Sequence, residues 1–128
     1  MFKVIAFGGF FVFIALGIFF IYPKLSLAEF ATTDVVKKAV DSGALVIDVR
    51  TPQEFESGHA KEAINVPYDE IVDNPRMLQE SKDRAIIVYC RSGRRSSIAK
   101  STLESLGFRN ILNAGGVSEM EKASCFGC

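Results

Sequence analysis

Ala85-Ile86-Ile87-Val88-Tyr89 is an unbroken apolar run, rich in β-branched residues, between Arg84 and Cys90-Arg91. A run of this kind suits a strand buried on both faces, which requires a layer of structure on each side. Leu45-Val46-Ile47-Asp48-Val49 reads the same way. Ala63–Val66 is a second short strand, ended by Pro67, and Asn110–Asn113 a further one. Helical patterns lie between the strands. Thr33 is placed to cap a helix over Asp34–Asp41, with Val35, Val36, Ala39 and Val40 as its apolar stripe and Ser42-Gly43 at its end. Pro52 opens a short helical turn through Phe55, stopped by Gly58. Asp69 to Gln79 reads as helical with a break near Pro75. Arg94–Leu106 is an amphipathic helix facing inward through Ile98, Ala99, Leu103 and Leu106, and Gly115-Gly116 is a tight turn before a last short helix. The fold class is α/β: a parallel sheet with helices on both faces. Ligands of such sheets bind beyond the carboxyl ends of the strands.

Beyond the strongest strand comes Cys90-Arg91-Ser92-Gly93-Arg94-Arg95-Ser96, which runs from strand end into helix start. A loop closing into a helix amino terminus turns backbone N–H groups inward. Those groups, the helix dipole and three guanidiniums favour an anion at the loop centre. A cysteine at the lip of that cradle has a lowered pKa and is a thiolate near neutrality. Gly93 supplies a conformation other residues resist. The plainer alternative is an inert core thiol with solvated arginines behind it.

Charge is unevenly spread along the 128 residues, which balance 15 Lys+Arg against 15 Asp+Glu. Residues 1–28 hold two bases, no acid and 7 of the 11 Phe. The other hundred carry 13 bases and 15 acids, so a general nucleic-acid binder is excluded. They suit one small domain, 29–122, with a tail at 123–128. Three Cys do not make a disulfide scaffold.

Val4 to Tyr22 is 19 residues without a charge. As a helix it would span roughly 28 Å, near the thickness of a bilayer core. It reads as an uncleaved anchor or as a secretory signal peptide ending at Ser26-Leu27-Ala28. Either way the amino end is expected to stay cytoplasmic and the domain to be exported, into a bacterial periplasm.

Several blocks together resemble the rhodanese homology domain. They are Val46-Ile47-Asp48-Val49-Arg50, Glu54-Phe55, Gly58-His59, Ala63-Ile64-Asn65-Val66-Pro67, Tyr89-Cys90 with its loop, and Asn113-Ala114-Gly115-Gly116. The likeness is greatest to single-domain periplasmic rhodaneses of the phage-shock-protein E type. It implies a thiosulfate sulfurtransferase: Cys90 takes the outer sulfur of thiosulfate as a persulfide, residues 91–95 cradle it, and cyanide or a thiol removes it. Arg91, Ser92, Gly93, Arg94 and Arg95 would bind the donor. No cofactor is implied, and the partners are a small sulfur donor, a thiol acceptor and, for an uncleaved segment, the membrane; the domain is expected to be monomeric. One alternative is a rhodanese-like module that binds sulfur or a partner without turnover. Another is a cysteine phosphatase or arsenate reductase, which needs a larger loop with arginine where this chain has Ser96. One departure is Glu62, where the family commonly has Gly.

Asp48 is expected to be a structural acceptor near the site and Arg50 its salt-bridge partner. His59 is read as structural, because a thiolate attacking sulfane sulfur needs no proton removed. Cys125 and Cys128 have the spacing of a redox dithiol but sit on a tail. They are either a quiet terminus or accessory thiols that take sulfur from, or reduce, Cys90.

Overall fold

The structure, a computed structural model, describes residues 29–74, 78–79 and 81–125. The apolar segment 1–28 and Cys128 lie outside the described residues. Among the described residues, no helix is long and apolar enough to cross a membrane.

Strands β1 (Leu45–Asp48), β2 (Ile64–Asn65), β3 (Ile86–Tyr89) and β4 (Ile111–Gly115) form one sheet in the order β2-β1-β3-β4. All pairings are parallel. The β3 strand is interior, as its apolar run requires. Its side chains alternate between two cores. Ile86, Val88 and Cys90 pack with Ala99 and Leu103 of helix α3 (Arg94–Ser105). Ile87 and Tyr89 pack with Val36 of α1 (Thr33–Asp41) and Met120 of α4 (Val117–Ala123). Helices thus cover both faces, as expected. Other helical elements among the described residues include α2 (Pro52–Glu56), one 3-10 turn, Ile71–Asp73, and the helical residues Leu78–Gln79.

Several local expectations are corrected. Thr33 is the first helical residue of α1, and extended Thr32 is the residue before it. Val35 is 46% exposed, so the α1 stripe is narrower than read. The second strand shrinks to Ile64–Asn65. Before the expected break the stretch after Asp69 forms a 3-10 turn rather than an α-helix, Asn74 ahead of Pro75 is non-helical, and Leu78–Gln79 are helical. In α3, Ile98 is 41% exposed while Ser96 is buried, so the inward face is rotated toward the loop after Cys90. Finally, β4 continues past Asn113 to Gly115. Its register against β3 shifts between Val88 and Tyr89. Such irregularities re-aim side chains beside active sites, and this one adjoins Cys90.

Candidate active site

Cys90 directly follows β3 as a free thiol, fully buried at 0% exposure. Its backbone N–H donates to the Gly115 carbonyl at 3.0 Å. The chain then turns through Gly93, which has φ +98° and caps α3. That left-handed conformation needs a glycine. It aims the Gly93 N–H at Cys90 Sγ, 3.0 Å away. The Ser96 hydroxyl lies 3.6 Å from the sulfur. Burial pushes the thiol pKa up. The Ser96 hydroxyl and the backbone N–H groups of Ser96, Ser92 and Gly93 outweigh it, and the pKa falls below the usual thiol value.

The outside of the loop leans on the end of β4. Ser92 forms an isolated antiparallel bridge with Gly116. A Cβ on Gly116 would sit 2.7 Å from the Arg91 carbonyl oxygen, so the pair Gly115-Gly116 admits a close backbone approach. Gly115 itself takes φ +82°, and its N–H donates to Asn113 Oδ1 at 3.0 Å.

The loop's three arginines have different environments. Arg91 and Arg94 are exposed and form no salt bridge among the described residues. Arg95 is half-buried, and its Nη1 and Nη2 donate to Glu54 at 2.7 and 2.9 Å. Hydrogen bonding to Arg95 holds the Glu54 carboxyl at about 2, assisted by Thr51. Thr51 and Glu54 close a capping box on α2, so one carboxylate ties that helix to the loop.

Asp48 and Arg50 form a buried pair at the end of β1. Arg50 Nη2 donates to Asp48 Oδ2 at 2.6 Å and to the Gly58 carbonyl at 2.7 Å. The Tyr89 hydroxyl donates to Asp48 Oδ2 at 2.6 Å and accepts the Ala60 N–H. Burial and this bond to Asp48 push the Tyr89 pKa up. His59 stacks on Phe55, centroids 3.7 Å apart, and its Nδ1 donates to the Phe55 carbonyl at 2.9 Å. Cys125 is disulfide-bonded, and its carbonyl accepts from Lys61 N–H at 2.7 Å. It follows α4, on the opposite face of the sheet from Cys90. Among the described residues, no three His, Cys, Asp or Glu side chains gather where they could hold a metal ion.

Two contributors escaped the sequence reading. Ser96, beside the sulfur, was visible only as the residue in the phosphatase-arginine place. Phe30, whose ring covers Gly93, carried no signal because it lies far away in sequence.

Comparison with known proteins agrees with this geometry. The family model described as "Rhodanese-like domain" matches residues 32–123. The chain belongs to the rhodanese-like domain family. A curated relative, "Thiosulfate sulfurtransferase PspE" of Escherichia coli (strain K12), is 35% identical over 74 residues, which span 58% of this chain and 71% of that protein. Another, a "tRNA uridine(34) hydroxylase" of Sodalis glossinidius, is 36% identical over 86 residues, and the chain spans only 24% of its length. Among solved structures, "rhodanese with anions from E. coli" aligns at TM-score 0.60 with 32% identity, over 66% of this chain and 96% of that one. The rhodanese-like match takes in Cys90 and its loop and Gly115-Gly116, the groups that make the thiol cradle, together with the Asp48–Arg50 pair.

Proposed function

We propose that this chain is a sulfurtransferase that moves sulfane sulfur from thiosulfate through a persulfide on Cys90 to a thiophilic acceptor. The supporting observation is the Gly93 N–H at 3.0 Å from the buried free thiol Sγ. Exposed Arg91 and Arg94 draw the dianionic donor to the loop. The Cys90 thiolate attacks the outer sulfur of thiosulfate. A new S–S bond forms, the bond between the thiosulfate sulfurs breaks, and sulfite leaves with its electron pair. In the second step cyanide or a thiolate attacks the terminal persulfide sulfur, and the Cys90 thiolate departs. Each step is a displacement at sulfur, so the turnover is covalent and ping-pong. Neither step consumes a proton, a metal or an organic cofactor. Because Cys90 has no exposed surface, the donor must enter where the exposed residues Arg91, Ser92 and Arg94 give way.

The experiment is intact mass after thiosulfate treatment of the wild-type chain and of Cys90→Ser. A one-sulfur adduct on the wild type alone is expected. Its absence overturns the proposal. An adduct that no acceptor discharges points to the sulfur-binding module. Hydrolysis of an aryl phosphate without sulfur transfer points to the phosphatase, which Ser96 beside the sulfur disfavours.

The reading includes work outside the cytoplasm, supported by the uncharged run Val4 to Tyr22. Fractionation of a bacterial host with amino-terminal sequencing tests it. Recovery of the intact chain in the cytosol overturns it.

A further inference from the structure

Three consecutive residues just ahead of α1 each touch a different support of the thiol cradle. The Ala31 N–H donates to the Asn113 carbonyl at 2.8 Å. The Glu29 carboxylate accepts from the Ser97 hydroxyl, and Ser97 Oγ accepts from Asn113 Nδ2 at 3.0 Å. Between them the Phe30 ring lies against Gly93 and Gly115. Its Cζ and Cε1 are 2.7 and 2.8 Å from where a Gly93 Cβ would stand, and its Cγ and Cδ1 3.6 Å from the corresponding point on Gly115. The ring therefore occupies the side-chain space of the cradle's central residue.

That placement bears on the sulfur. Gly93 has no side chain to hold its peptide, and its left-handed backbone can swing at little steric cost. Its N–H nevertheless points at Cys90 Sγ. Gly115, also under the ring, accepts the Cys90 N–H. One aromatic ring thus presses on both backbones that position the thiol. Yet Phe30 is 42% exposed and belongs to neither core cluster.

We infer that Phe30 is a positioning residue for the Cys90 thiolate, and that Glu29 to Ala31 form a strap that seats its ring on Gly93. The inference rests on the reading of Cys90 as the nucleophile. Without the ring, Gly93 samples other conformations, water reaches its N–H, and the thiolate loses part of its stabilisation.

The test uses the full chain with Phe30→Ala, Phe30→Leu and, as a control, Val35→Ala. Val35 lines the same cleft of about 250 Å³ as Phe30, is 46% exposed, and sits on α1. The readout is the pH dependence of iodoacetamide modification at Cys90, followed by peptide mass and paired with thermal melting. In Phe30→Ala the midpoint is expected to rise by about half a pH unit, leaving about threefold less thiolate at a pH below it. Phe30→Leu should recover part of the shift, and Val35→Ala should follow the wild type. Persulfide formation by Phe30→Ala should be slow at neutral pH and recover at alkaline pH, whereas a purely structural loss would lower it equally throughout. A wild-type midpoint in folded Phe30→Ala, or an equal shift in Val35→Ala, overturns the inference. If Phe30→Ala does not fold, Phe30→Leu decides alone, and an unshifted midpoint there overturns it. Alkylation needs no sulfur donor, so a wild type that alkylates normally but takes no sulfur from thiosulfate defeats the proposed function and leaves this inference standing.

Discussion

Arg95 and Glu54, 41 residues apart in sequence, meet in a two-point ion pair of 2.7 and 2.9 Å. The pair joins the last residue of the cradle to the capping box of α2. It also occupies the two terminal nitrogens of one of the three loop arginines. Positive charge at the loop without an ion-pair partner among the described residues therefore sits on Arg91 and Arg94, while Arg95 holds the loop's shape.

The pair makes stability depend on acid. Glu54 titrates at about 2 in the folded chain against an ordinary 4.5. A depressed carboxyl contributes stability that is complete above the unfolded value and disappears as pH falls through the folded one. Urea unfolding of wild type and Glu54→Gln is expected to show a gap that is constant from neutral pH down to 4.5 and closes toward 2. A gap that persists unchanged at the acid end would refute this role for Glu54.

Ser96→Ala removes the hydroxyl beside the sulfur and leaves the backbone donors in place. A hydrogen bond to a charged group is worth about 1.5–3 kcal/mol, so sulfur loading at neutral pH should slow by roughly tenfold or more. The variant should approach the wild-type rate at alkaline pH, where both thiols are ionised. Stopped-flow measurement of sulfite release across pH checks this, and a uniform deficit at every pH would count against it.

Gly116→Ala introduces a methyl group 2.7 Å from the Arg91 carbonyl. The backbone must shift, at a cost of about 1–3 kcal/mol. Both the urea midpoint and the rate of persulfide formation should fall, since Ser92 is bridged to the same residue. Wild-type values for both would show that the loop tolerates the added group.

Glu62 has φ +61°, a left-handed conformation in an exposed turn. An L-residue there costs about 1–2 kcal/mol, partly offset by the greater unfolded-state freedom of a glycine. Glu62→Gly should therefore stabilise the chain by about 0.5–1 kcal/mol and leave sulfur transfer unchanged. Thermal melting measures the gain, and a lower melting temperature would contradict the strain argument.

What the sequence made legible was local. The β3 strand and the loop after it were readable because an unbroken apolar run and a glycine before a helix each report their own backbone. The resemblance to rhodaneses also marked Gly115-Gly116, but only the structure supplies the reason: Arg91 passes too close for a side chain. Ile98 was misassigned and Ser96 overlooked because helical periodicity ranks residues by hydrophobicity, whereas a buried hydroxyl beside the sulfur takes part of the inner face of α3. The pairing of Glu54 with Arg95 and the seat of Phe30 on Gly93 could not be read at all. They arise when the sheet brings distant segments to one end, and no local pattern encodes that meeting.

The interior position of β3 bears on how the chain comes to be made. The Cys90 N–H is held by Gly115, and Ser92 is bridged to Gly116, so the cradle closes only against the far end of β4. A chain emerging from the ribosome carries Cys90 well before that support exists. Until β4 docks, the loop that carries the donors to the thiol lacks the backbone partners that hold its shape. The geometry around the thiol is thus completed late in biosynthesis, and a product terminated before β4 would carry Cys90 in a loop without its β-sheet support.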